Sequence, residues 1–137
     1  MIRMKVSNPV LLIDRMERRR ERATRRAMFK VGANLRTTAS RSIRVRKTAA
    51  SKPGKPPHTR GNRRLRKSIM FAVDRNGRSV IVGPTKAGVG LAGEAHERGE
   101  RFRGRNYPRR PYMAPALEVR ADDLRDLVID TIRKGLR

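Results

Sequence analysis

Apolar positions along this chain follow three different spacings, and each predicts a different element. From the start to about residue 43, Met16, Ala23, Ala27, Val31, Leu35, Ala39 and Ile43 recur mostly at fours, the signature of one helical face. Asn8-Pro9 supplies a start, with Asn as N-cap and Pro at the first helical position, and no further proline interrupts the run. The pattern predicts one long helix with a narrow apolar stripe, the rest of its surface carrying Arg18, Arg19, Arg22, Arg25 and Arg26. Unbroken, it spans about 50 Å at 1.5 Å per residue, against roughly 35–40 Å for a globule of this length. Part of it is therefore expected to project. Gly32 is the candidate break, since glycine costs about 1 kcal/mol relative to alanine inside a helix.

The second spacing is alternation. Ile69, Phe71 and Val73 alternate with Met70 and Ala72, Asn76-Gly77 offers the two φ > 0 positions of a type I′ turn, and Val80-Ile81-Val82 returns before Gly83-Pro84. This predicts a β-hairpin. A Gly-rich stretch then leads to a short helix over residues 91–98 and a polar loop over 99–110. The third spacing opens at Pro115, where Leu117, Ala121, Leu124, Val128 and Ile132 recur at threes and fours. Asp122, Asp123, Asp126 and Asp130 fall outside that stripe, and Arg133, Lys134 and Arg137 come late, as the helix dipole prefers. The fold class expected is α+β: a long N-terminal helix and a C-terminal amphipathic helix packed on a small antiparallel sheet built around the hairpin.

Residues 44–67 fit none of these spacings. Rich in Pro and cations and with little to bury, they read as an extended basic arm closing in a short basic turn or helix from Gly61. The whole chain, 1–137, is then a single domain: an N-terminal segment and helix (1–43), the arm (44–67), and the hairpin, loop and last helix (68–137).

Composition sharpens this picture. The apolar fraction is 36% and aromatics are 4%, so the core should be thin. The formal charge is +24, with residues 1–67 holding 22 Lys/Arg against 3 Asp/Glu and residues 68–137 holding 14 against 9. Such self-repulsion calls for a polyanionic or acidic partner, and the basic first half is where it should bind. Arg18, Arg19, Arg22, Arg25 and Arg26 of the helix, with Arg46, Lys47, Lys52, Lys55, Arg60, Arg63 and Arg64 of the arm, are the expected contacts to DNA phosphates or an acidic surface. Phe29 is the only aromatic in the basic half, so base-reading single-strand recognition is not expected.

Other chemistries are set aside on their missing parts. The absence of cysteine removes disulfides, thiolate metal sites and thiol nucleophiles. Val10-Leu11-Leu12-Ile13 is far short of the ~20 apolar residues of a membrane span, and Asp14, Glu17 and Glu21 argue against a transit peptide. A soluble, untargeted chain is expected. Gly88-Val89-Gly90-Leu91-Ala92-Gly93 matches a dinucleotide-binding string, but Met113 stands near where its acidic partner belongs. Gly83 and Gly88 have P-loop spacing, yet Val89-Gly90 replace the Lys and Ser/Thr. His96-Glu97 begins a zinc-protease string that Glu100 ends, and His58 is the only other histidine. No triad or carboxylate pair stands out, so no enzyme, cofactor, metal or small-molecule substrate is expected. His96 is read as packing or hydrogen-bonding at a subunit contact.

One order of motifs stands out: Lys52-Pro53-Gly54-Lys55-Pro56-Pro57, then Leu65 and Ser68-Ile69, then Val82-Gly83-Pro84, His96-Glu97-Arg98-Gly99, and Tyr107-Pro108-Arg109-Arg110-Pro111-Tyr112-Met113-Ala114-Pro115-Ala116-Leu117-Glu118. In this the chain resembles the tail-completion, or head–tail joining, proteins of tailed bacteriophages. It departs from them at Gly61-Asn62-Arg63-Arg64-Leu65, where Gly-x-Leu is usual, at Arg98, where Phe usually follows His-Glu, and at Ala114, where Arg is common. The resemblance implies a structural virion protein, assembled in the host cytoplasm, forming a ring of like copies, six-fold by expectation, in the neck. Its partners would be other neck, portal-side and tail proteins and packaged double-stranded DNA. It places an assembly interface at Pro53, Pro56, Pro57, His96, Glu97, Arg110, Pro111, Tyr112 and Met113. The rival reading, a cellular basic nucleic-acid-binding protein of ribosomal or nucleoid type, gives residues 110–118 no role.

Overall fold

In the computed structural model, residues 9–46, 50–61, 63–85, 87 and 89–137 are described. Asn8 of the expected N-cap, Lys47 of the basic arm, Asn62, and Gly88 of the glycine string lie outside the described residues. Helix α1 (Pro9–Ser42) is the axis of the molecule, and α4 (Met113–Leu136) lies along one side of it. The two are antiparallel: Ala116, in the first turn of α4, packs with Ala39 and Ile43, while a Cβ on Gly135 would stand 2.5 Å from the Cβ of Ala23. At 1.5 Å per residue α4 is about 36 Å long. It runs out beside Ala23, so the first three to four turns of α1 have no described helix against them. That is why the α1 stripe becomes core only from Ala23 onward, through Ala27, Leu35, Ala39 and Ile43, with Val31 half-buried, while Met16 stays exposed.

The hairpin of β1 (Ile69–Val73) and β2 (Val80–Pro84) packs on α1 in the register Ile69↔Pro84 to Val73↔Val80. Its Phe71 ring meets Phe29 edge-on, with centroids 5.0 Å apart, and Arg36 Nε donates to the Ile69 carbonyl at 2.9 Å. Gly32 does not break the helix, contrary to expectation. It is buried under the hairpin, where any Cβ would collide with the Phe71 ring and stand 2.8 Å from Val80 Cγ2. The backbone penalty of a helical glycine is offset by the close approach of strand to helix that only a missing side chain allows.

The turn of this hairpin also differs from expectation. Asn76 has no positive φ; the loop instead closes with Gly77 N–H to Asp74 O at 2.8 Å and Asp74 N–H to Ser79 O at 3.0 Å, with Gly77 alone left-handed at φ 66°. The type I′ geometry occurs elsewhere, in a second hairpin of β3 (Arg101–Phe102) and β4 (Arg105–Asn106). There Arg103 (φ 49°) and Gly104 (φ 76°) are the two left-handed residues between the strands. The sequence reading has only a polar loop at this place.

Between the hairpins, α3 (Gly90–Arg98) ends at Gly99, whose left-handed φ of 79° lets its N–H bond to Ala95 O at 2.9 Å. A short helix, α2 (Arg64–Ser68), precedes β1. The α4 stripe is rotated from the predicted one: Ala116, Leu124 and Thr131 are buried, with Leu127, Val128, Ile132 and Gly135 half-buried, while Leu117 and Ala121 are exposed. The close contact of Gly135 with Ala23 and the bond from Lys30 Nζ to Thr131 Oγ1, 3.2 Å, select this face. The central core is small, made by Ala39, Ile43, Ile69, Tyr112 and Ala116 with Leu65, Val82 and Met113 packed against it.

Residues 44–46 and 50–60 have no long regular element, but they do not form a free arm. Val45 and Thr59 pair as a parallel bridge, with Arg46 N–H to Thr59 O at 3.0 Å and Thr59 N–H to Arg44 O at 2.9 Å. Pro57 is fully buried and Ser51 and Thr59 are buried. The segment is a closed loop seated on the body.

Candidate assembly joint and basic surface

Glu97 is the centre of a joint between α3 and α4. Its Oε2 accepts from the backbone N–H of Tyr112 (2.8 Å) and Met113 (3.0 Å), and its Oε1 from that of Ala114 (2.9 Å). A helix start leaves its first N–H groups without intrahelical partners; here a remote carboxylate takes three of them, and Pro115, the next residue, has no N–H. The α4 helix consequently starts at Met113, two residues before the expected Pro115, and Glu97 sits where the helix dipole favours negative charge.

Around this cap the other motif residues interlock. Arg110 N–H donates to His96 O, 2.6 Å, and Arg110 Nε to Ser51 O, 2.8 Å; Gly54 N–H donates to Arg109 O, 2.8 Å. These bonds tie the proline-rich loop to the segment between α3 and α4. The His96 ring lies edge-on to Tyr107, with centroids 5.0 Å apart, and its Nδ1 is buried with no partner among the described residues. Burial, reinforced by the Arg110 charge, holds His96 below its ordinary pKa. Tyr112 is 1% exposed, and a Cβ on Gly93 would stand 2.8 Å from its Oη; burial and then the charge of Glu97 push its phenol well above the ordinary range.

The structure therefore brings the expected interface residues together but gives several of them internal work. Pro57 and Tyr112 are fully buried and have no surface to offer a neighbouring subunit. Glu97 is occupied by the α4 cap, while His96, Arg110, Pro111 and Met113 are half-buried around it. Pro53 is exposed and Pro56 half-buried at the turn of the loop. The spacing of the motifs carries no sign that a carboxylate on one would cap the helix opened by the other.

The expected polyanion contacts lie on the surface. Arg18, Arg19 and Arg22 are exposed on the projecting part of α1 and Arg25 and Arg26 just past it, and positions 15, 18, 19, 22 and 26 fall within an arc of roughly 100° at 100° per residue. Arg46, Lys52, Lys55, Arg60, Arg63 and Arg64 are exposed along the loop and α2. Arg98 pairs with Glu94 and Glu100, Arg120 with Asp123, and Lys134 with Asp130, all in the second half of the chain. From residue 22 to residue 73 the chain has no Asp or Glu at all. Arg41 and Arg44, which sequence reasoning did not name among the contacts, join this surface where α1 ends.

Among the described residues, no group of three or more His, Asp or Glu is placed to hold a metal ion, and no helix is long and apolar enough to cross a membrane. No family model, curated protein or solved structure matches the chain.

Proposed function

We propose that this chain is a structural virion protein of a tailed phage, one subunit of a ring in the neck that joins the DNA-filled head to the tail. The observation that carries the reading is the convergence of the motifs that suggested it. Elements spread over residues 52–118 meet in one joint, where Glu97 caps the helix begun by Tyr112-Met113 and Arg110 fastens the proline-rich loop. A cellular nucleic-acid-binding protein has no evident need of that joint.

Two further features suit a ring subunit. The start of α1 carries Leu11, Leu12, Ile13 and Met16, all more than half exposed, on helical turns that no other described element covers. Apolar surface of this kind is expected to be buried against a neighbour in an assembly. The arginines beyond it then face the channel or an acidic neighbour, with packaged duplex DNA as the polyanion. Six-fold symmetry remains an expectation from the resemblance.

The reading is tested by removing the gene from the phage that carries it. Filled heads and complete tails should accumulate unjoined, and the chain supplied in trans should restore joining. Normal joined particles without the chain would contradict the proposal.

A further inference from the structure

Where α1 ends and residues 50–60 fold back beside it, a cleft of about 720 Å³ opens, lined by Arg41, Arg44, Lys52 and Lys55 together with Ser51 and His58. The four cations are exposed and none is in an ion pair among the described residues. With no Asp or Glu between residues 22 and 73, nothing nearby in sequence neutralises them. The C-terminal end of α1 contributes only about half a negative charge, against four full positive ones.

The backbone that carries these cations is held in place before any ligand arrives. Thr59 clamps Arg44 and Arg46 from across the loop, and Lys55 N–H closes a turn on Lys52 O at 3.2 Å around Pro53 and Gly54, the glycine left-handed at φ 80°. Arg110 and Arg109 fasten Ser51 and Gly54 to the body. A ligand therefore meets a preformed cluster of positive charge and bears little ordering cost. Like charges held together at fixed positions repel one another, and an anion relieves that repulsion.

We propose that this cleft seats backbone phosphates of duplex nucleic acid. The inference rests on the polyanion contact proposed above and gives it an address. A phosphate group has five heavy atoms, so even at the roughly 30 Å³ of a liquid water per atom it fills on the order of 150 Å³. The cleft has room for a stretch of sugar-phosphate backbone. No Phe, Tyr or Trp lines it, so it lacks the large aromatic platforms on which unpaired bases stack.

The test uses the full chain and a labelled random-sequence duplex, with affinity measured by anisotropy across a range of salt. Arg41→Gln with Arg44→Gln forms one variant, and Lys52→Gln with Lys55→Gln a second. Arg101→Gln with Arg105→Gln, exposed on the second hairpin, removes the same charge elsewhere as a control. Each cleft pair is expected to weaken binding at least ~10-fold and to make the log–log salt slope shallower by about 2, since each phosphate contact contributes about 0.9. The control pair should weaken it by no more than ~3-fold. Amide shifts on titration with inorganic phosphate should centre on residues 41–44 and 51–55. If wild-type chain binds no duplex, the polyanion contact itself fails and this inference with it. If wild type binds but cleft and control pairs lose the same affinity, the cleft is overturned and the wider contact stands. If polyglutamate displaces the duplex at equal charge concentration, the occupant is a carboxylate surface and the phosphate assignment is overturned.

Discussion

Glu97 shows how much one side chain can organise in a chain with a small core. Three backbone N–H groups of α4 converge on its carboxylate, and hydrogen bonds to a charged acceptor are the stronger kind. Glu97→Ala leaves those donors to find water in a half-buried joint, and is expected to cost about 2–3 kcal/mol. Thermal unfolding followed by circular dichroism should register this as a fall in Tm of roughly 5–15 °C, with Glu97→Gln intermediate because one acceptor oxygen remains. An unchanged Tm in Glu97→Ala would mean that the cap is not formed in solution. His96 adds a pH dependence with a definite sign. Its folded pKa is lowered from 6.5, first by burial and then by Arg110, so between 6.5 and the lowered value the unfolded chain binds more protons than the folded one. Its contribution is fully present above 6.5 and is lost as the pH falls through that window. Tm measured from pH 7.5 to 4.5 should fall more steeply in wild type than in His96→Gln; superimposable profiles would remove His96 as the cause.

At the scale of elements, periodicity was a good guide to where helices and strands lie and a poorer one to how they touch. The long α1, the hairpin of β1 and β2 and the late α4 lie where the apolar spacing places them, and α3 where a short helix is expected after the Gly-rich stretch. Gly32 was misread because propensity weighs a glycine against its own helix, whereas its role is to let Phe71 and Val80 approach. Gly32→Ala separates the two views by sign. A break would be stabilised by about 1 kcal/mol, whereas a close contact should be destabilised by about 1–3 kcal/mol, read from the urea midpoint. The rotated face of α4 has a similar origin, since Thr131 and Gly135 score poorly as apolar positions yet are the residues that fit against α1. The turn at Asn76-Gly77 and the hidden type I′ turn at Arg103-Gly104 mark the limit of short-range signals: flanking strands of only two residues gave no alternation to read. The exposed start of α1 carries its own prediction. Leu12→Asp with Met16→Asp should leave the circular dichroism spectrum and Tm of the isolated chain unchanged yet exclude it from particles, as judged by immunoblot of purified virions; normal incorporation would show that this surface contacts nothing.

The whole molecule is governed by its charge. The basic half was evident from composition, and the described structure sets its cations on a long helix and a fastened loop. What composition could not convey was the closure of that loop, because the backbone bonds of Thr59, Gly54 and Ser51 leave no trace in residue type. The joint at Glu97 was legible as two motifs, and its geometry was not, since the partners lie fifteen residues apart and meet through backbone atoms. The proposal of a ring subunit at the junction of head and tail is tested most directly by a cryo-electron microscopy reconstruction of the neck in virions that contain this chain. It predicts a closed ring of like copies between portal and tail, each with α1 against its neighbour and its basic half toward the DNA channel. A neck with no density for the chain, or a single copy with no like neighbour, would contradict it.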